Sequence, residues 1–290
     1  MYPTQEGWVE YRNSANFRKI IERGNNLPRV MLTGQELNYN KNDWKLLLSL
    51  QLTEWSQTSY VWDFFGKKQG TEISGNNLMN EYAKGISDGK QALEYLPNSL
   101  CMHLMIETMD NKLIKSRISE SKKNDNPGTW AFTLGEQLDP GDVRDDTNLH
   151  ADFMQRWMRR AFLEEYKMND NSYADIVDAD SLRILSLDFE SDRYNFALLC
   201  VVRLNYSYKT FSEKIYSTLD REEAREIGSL DLDEIPGILA TYNTKDKNGR
   251  HTARGQYHPS SYLRLLMYYI HRKGIGRAEQ EIEKYMREAK

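Results

Sequence analysis

The chain has 290 residues, enough for one large domain or two modest ones. Hydrophobic residues make up 39% and charged residues 28%, so a sizeable core can be buried and the disordered and fibrous classes are excluded. Lys+Arg 39 against Asp+Glu 43 leaves a net charge of −4 with no long block of one sign, so nucleic acid is not an expected partner.

No stretch reaches the roughly 18 to 20 consecutive apolar residues that span a bilayer. The segment Met1 to Trp8 lacks the basic and apolar regions of a signal peptide, so a cytoplasmic protein with no membrane contact is expected. Cys101 and Cys200 each sit among apolar neighbours, which predicts reduced core thiols and neither a disulfide framework nor a metal knuckle.

Taken in chain order, Trp8 to Arg23 reads as a short amphipathic helix. Arg29 to Leu37 and Trp44 to Trp55 read as strands, the second with Leu46, Leu48, Leu50 and Leu52 alternating onto one face. A glycine-rich turn over Gly66 to Asn77 leads to a helix expected at Leu78 to Leu96. Residues 1–99 are therefore expected to form an α+β extension without a catalytic motif.

The pattern changes at Leu100. Cys101 to Thr108 and Lys112 to Ile118 read as strands joined at Asp110-Asn111, residue types that tolerate turn backbone. A polar loop, Pro127-Gly128-Thr129-Trp130, a strand at Ala131 to Leu134 and a turn at Gly135 to Asp142 follow. Asp145 to Asn148 offer N-caps for a helix over Ala151 to Lys167, whose apolar face is Phe153, Met154, Trp157, Met158, Ala161 and Phe162. Leu182 to Phe189 and Phe196 to Tyr206 read as strands, with a further segment at Leu230 to Ile235. Helices close the chain at Ser260 to Arg272 and Ala278 to Ala289, hinged at Gly274-Ile275-Gly276.

The sharpest chemical feature is Arg160-Ala161-Phe162-Leu163-Glu164-Glu165 near the end of the long helix. Residues four apart meet on a helix, so Arg160 can brace Glu164. Glu164 and Glu165 project about 100° apart around the axis, and with a third carboxylate from a loop they can hold a hard cation. Magnesium suits such a set, because it takes oxygen ligands and is usually completed by waters and substrate phosphates. On spacing alone, a solvated face with one ion pair is the commoner outcome for these residues.

The order of hairpin, Pro-Gly-Thr-Trp, strand, Gly135-Glu136-Gln137-Leu138-Asp139-Pro140-Gly141-Asp142 and the helix with Arg160, Glu164 and Glu165 resembles the Nudix fold and its signature box. The resemblance runs from about Leu100 to Lys273 and includes a closing strand and helix near Glu226 to Ile235 and His258-Pro259-Ser260. It implies an α/β fold with a mixed sheet flanked by helices, over residues 100–273, preceded by the extension and followed by a C-terminal helix at 274–290. It also implies hydrolysis of a nucleoside diphosphate-linked, nucleotide-type small molecule with Mg2+ or Mn2+.

Carried over by position, Glu164 and Glu165 are metal ligands, and Arg160 orients Glu164. Asp142 stands where a glutamate is expected, Glu136 replaces a glycine of the turn, Ala161 replaces the glutamate after the arginine, and Lys167 replaces a glycine at the helix end. Alanine neither binds metal nor accepts a proton, so Asp142, Glu223 or Glu226 must complete the site. The alternative is a catalytically impaired nucleotide-binding sensor or regulatory protein on the same fold.

Trp130 and Trp157 are offered either to a stacked base or to the core, with the core the commoner fate. The basic stretch Lys245 to Arg254 reads as a solvated loop that could grip a phosphate. The terminal helix docks on the core or on a second copy, so a homo-oligomer is an open expectation.

Overall fold

The computed structural model describes residues 11–24, 26–40, 43–66, 97–120, 126–132, 134–143, 152–190, 195–215, 224–242, 244–245 and 256–288. The helix expected over 78–96, Glu222, Glu223 and most of the basic stretch at 245–254 lie outside the described residues. Two compact units divide the chain: residues 1–101, 137–153 and 187–197 in the first, and 102–136, 154–186 and 198–290 in the second.

In the first unit, helix α1 (Ala15–Glu22) starts where the Ser14 hydroxyl accepts the Phe17 N–H at 3.2 Å, satisfying one of the donors that every helix start leaves open. Strands β1 (Pro28–Asn40) and β2 (Asp43–Glu54) form a long antiparallel hairpin, in register from Pro28 opposite Glu54 to Asn40 opposite Asp43, with an irregularity between Leu32 and Gly34. Val30, Met31 and Leu32 anchor its base in the core. There the Asn98 carboxamide takes the Leu32 N–H at 3.1 Å and gives its own N–H to the Leu32 carbonyl at 3.0 Å, imitating a neighbouring strand. The chain then enters α2 (Trp55–Gly66), where the sequence pattern continued a strand to Trp55. The short α3 (Pro140–Val143) begins on Pro140, whose fixed φ and missing N–H suit a first helical turn.

The main sheet has seven strands among the described residues. They are β3 (Leu100–Glu107), β4 (Lys112–Ile118), β5 (Trp130–Ala131), β6 (Leu134–Gln137), β7 (Val177–Glu190), β8 (Asn195–Leu204) and β9 (Ala224–Asp231). The order is β5-β4-β3-β8-β7, with β6 also on β3 and β9 also on β4. Antiparallel pairs dominate around β4, while Trp130 bridges Tyr257 in parallel, so the sheet is mixed and the fold is α/β. Strand β4 has the expected bounds, and Asn111 in the turn before it has φ 58°, a left-handed conformation that asparagine tolerates.

Helices interleave with these strands in the second unit. After α4 (Asp152–Glu165) come α5 (Asp170–Ile176) and α6 (Tyr208–Ile215), then a 3-10 turn (Leu232–Glu234), α7 (Ile235–Thr241), α8 (Ser261–Lys273) and α9 (Ile275–Glu288). Two of the short helices, α5 and α6, lie where the sequence pattern showed none, because seven or eight residues carry too few periods to register. Gly274, with φ 77°, makes the corner between the last two helices, as the glycine hinge predicted.

One sheet face packs Met105, Leu113, Leu199 and Leu230 against Ile235 and Leu239 of α7, Leu265 and Tyr268 of α8 and Ala278 of α9. Strand alternation therefore turns His103 and Glu107 the same way as Met105, and both meet arginines of α8: Arg264 Nη2 lies 3.1 Å from His103 Nε2, and Arg272 pairs with Glu107. A guanidinium only donates, so His103 Nε2 is the acceptor. Met102, Leu104 and Ile106, of the opposite parity, are equally buried. Both cysteines are free and buried, and burial pushes the Cys200 thiol up to about 12.

Candidate functional site

Helix α4 is built by an apolar stripe at helical spacing. Met154, Trp157, Met158, Ala161 and Phe162 are all buried, at intervals of three, one, three and one. Phe162 carries the packing onward, with ring centroids 5.8 Å from both Tyr166 and Tyr173, and Tyr166 lies 5.6 Å from Phe211 of α6. The stripe fixes the rotation of the helix and hence the direction of its last turn. Glu165, four residues after buried Ala161, continues the inward edge and is half-buried, whereas Glu164 is 54% exposed. Burial, with the Glu165 carboxylate beside it, pushes the Tyr166 phenol well above its ordinary range.

The helix ends through Lys167 at φ 51°. This is where the family resemblance expects a glycine, and the backbone keeps the left-handed conformation although the residue does not favour it. Lys167→Gly should stabilise the protein by roughly 0.5–1 kcal/mol, measured as a raised urea midpoint with unchanged slope.

Arg160 stands between two carboxylates. Its Nη1 is 2.9 Å from Glu136 Oε1 of β6, and 3.4 and 3.5 Å from the two oxygens of Glu164. The Glu136 pair is the more enclosed, at 23% exposure for Arg160 and 16% for Glu136. Sequence spacing anticipated the Glu164 contact and missed the Glu136 one. The expected turn at Gly135 to Asp142 is instead the strand β6 running to Gln137, and its alternation decides the outcome. A Cβ at Gly135 would stand 3.6 Å from the His103 ring, so Glu136 projects to the opposite side, toward α4.

The other expected ligands are placed differently. Asp142 is buried in the first unit, where its carboxylate accepts the Asp139 N–H at 3.0 Å and closes the turn into α3. Glu226 on β9 lies across from Arg117 of β4, at 3.8 Å and largely exposed. Glu223 lies outside the described residues. Trp157 is fully buried and offers no face to a ligand. Trp130 is half-buried, with Lys115 Nζ 5.0 Å from its ring centroid and the bare backbone of Gly228 against its edge.

Among the described residues, no three His, Cys, Asp or Glu side chains are grouped so as to hold a metal ion. Two carboxylates are nevertheless a fit donor set for magnesium or manganese, because such ions are commonly held by one or two carboxylates plus waters and substrate phosphates. Glu164 and Glu165 suit a cation completed by its ligand, in contrast to a cation caged by protein alone.

No protein-family model matches the chain, and no curated protein matches it. Among solved structures, a MutT protein from Methanosarcina mazei Go1 is 14% identical, with a TM-score of 0.34, covering 67% of this chain and 96% of that one. A Nudix hydrolase from M. smegmatis is 11% identical with a TM-score of 0.32, covering 60% and 83%. A bifunctional NMN adenylyltransferase/ADP ribose pyrophosphatase from Francisella tularensis is 13% identical with a TM-score of 0.32, covering 75% and 53%. The chain is thus similar to Nudix hydrolases of known structure, at superpositions too loose to bear on its chemistry.

Proposed function

We propose that the chain is a divergent Nudix-type hydrolase that cleaves a nucleoside diphosphate-linked small molecule. The observation that carries the reading is the Arg160 fork, which ties the strand bearing Glu136 to the helical turn bearing Glu164 and Glu165. Such a link fixes two adjacent carboxylates on a rigid element, as a cation site requires. Magnesium or manganese, when bound, would polarise a phosphoryl oxygen and lower the pKa of an attacking water. Glu164 and Glu165 would hold it, and Arg160 would orient Glu164.

The proton acceptor is assigned to Glu223, Glu226 or Asp142. Asp142 accepts the Asp139 N–H at 3.0 Å, and Glu226 lies 3.8 Å from Arg117. Glu165→Gln should lower metal-dependent release of a phosphomonoester product by about a hundredfold or more, with no loss of thermal stability. The screen is a panel of dinucleotides, nucleotide sugars and nucleoside triphosphates with Mg2+ and Mn2+. Turnover equal to wild type would remove the pair from the mechanism.

A second reading, a nucleotide-binding sensor or regulator, is favoured by one observation. Ala161, directly after Arg160, is buried in the α4 packing where the resemblance expects a glutamate. Calorimetry would then register a bound nucleotide while no product accumulates over hours.

A further inference from the structure

We infer that Glu136 is a positioning residue that sets how tightly this site takes a divalent cation, an inference that rests on the hydrolase reading above. One guanidinium is shared unequally between two carboxylates: 2.9 Å to Glu136, against 3.4 and 3.5 Å to Glu164. Glu136 is also much the more enclosed of the two, at 16% exposure against 54%, so its charge is the less screened by water. Its place is set by strand pairing and not by a flexible loop, since β6 pairs with β3 and the alternation at Gly135 aims Glu136 at α4.

The consequence falls on Glu164. While Glu136 holds Arg160 toward the strand at 2.9 Å, the guanidinium keeps only the longer contacts of 3.4 and 3.5 Å to Glu164, which orient that carboxylate and leave most of its charge to a cation. Remove the Glu136 charge and the guanidinium can close on Glu164, where it competes with the metal for the same oxygens. The three-group net charge rises from −1 to zero in the same step.

The test is a titration of Mn2+ alone into the full chain, with free Mn2+ followed by electron paramagnetic resonance. Glu136→Gln should weaken Mn2+ binding about tenfold. In the Arg160→Gln background the same substitution should change it by less than about threefold, because no guanidinium remains to be redirected. Glu136→Asp, shorter by one methylene, should fall between wild type and Glu136→Gln, and it serves if the glutamine variant does not fold. Equal losses in both backgrounds, or none in either, would overturn the inference while leaving the hydrolase reading standing. A wild-type chain that takes up no Mn2+, either alone or beside a nucleoside diphosphate, would defeat the hydrolase reading itself, and this inference with it.

Discussion

Arg272→Ala is expected to destabilise the protein by roughly 3–5 kcal/mol, the usual cost of stranding a buried charge. Glu107 sits at the end of β3 with 5% of its side chain exposed, and Arg272 pairs with it from the last turn of α8. The same guanidinium donates to Asn111 Oδ1 at 3.3 Å and to the Tyr268 hydroxyl at 3.4 Å, so it also clasps the β3–β4 turn. Its position at a helix C-terminus adds a favourable interaction with the exposed carbonyl dipoles. Truncation would leave the Glu107 carboxylate buried without its counterion. The double change Glu107→Leu with Arg272→Leu should recover most of the loss, because two apolar groups there strand no charge. Urea unfolding of the two variants measures both effects, and a single variant as stable as wild type would show that water reaches Glu107.

Raising the pH from about 9 to about 11 should remove roughly 4 kcal/mol of stability through Tyr166 and Cys200 alone. Both are buried, and burial raises both pKa values: Cys200 to about 12, and Tyr166 well above its ordinary range. A group whose folded pKa is raised contributes fully below its unfolded pKa and loses that contribution as pH climbs toward the folded value. Over this interval the unfolded thiol ionises across about two units and the unfolded phenol across about one, at about 1.4 kcal/mol per unit. Tyr173 and Tyr268, also raised by burial, act in the same direction. Cys200→Ala should flatten the part of the pH dependence that begins near 9. A urea midpoint constant between pH 9 and 11 would contradict the burial of these groups.

How much of this was legible beforehand depends on the length of the pattern. The helix Asp152–Glu165 lies where helical spacing puts it, because its apolar stripe repeats the period several times, and the strand Lys112–Ile118 lies where the Asp110-Asn111 turn signal puts it. The helix at Trp55–Gly66 was missed, since Trp55-Ser-Gln-Thr-Ser-Tyr-Val is rich in residues that favour strands, and tertiary packing overrode that preference. Strand β6 was read as a turn because its glycine and polar residues resemble turn chemistry, yet Leu134 and Leu138 on either side are buried.

The sequence by itself determined the α/β alternation, the buried cysteines and the two neighbouring carboxylates after Arg160, all of which follow from local spacing and composition. Only the tertiary structure decided that Arg160 leans on Glu136, that Asp142 closes a turn and that Glu226 faces Arg117. The Arg160–Glu136 and Arg117–Glu226 partners stand 24 and 109 residues apart, and no local period encodes which side chains a folded sheet and helix bring within a few ångströms.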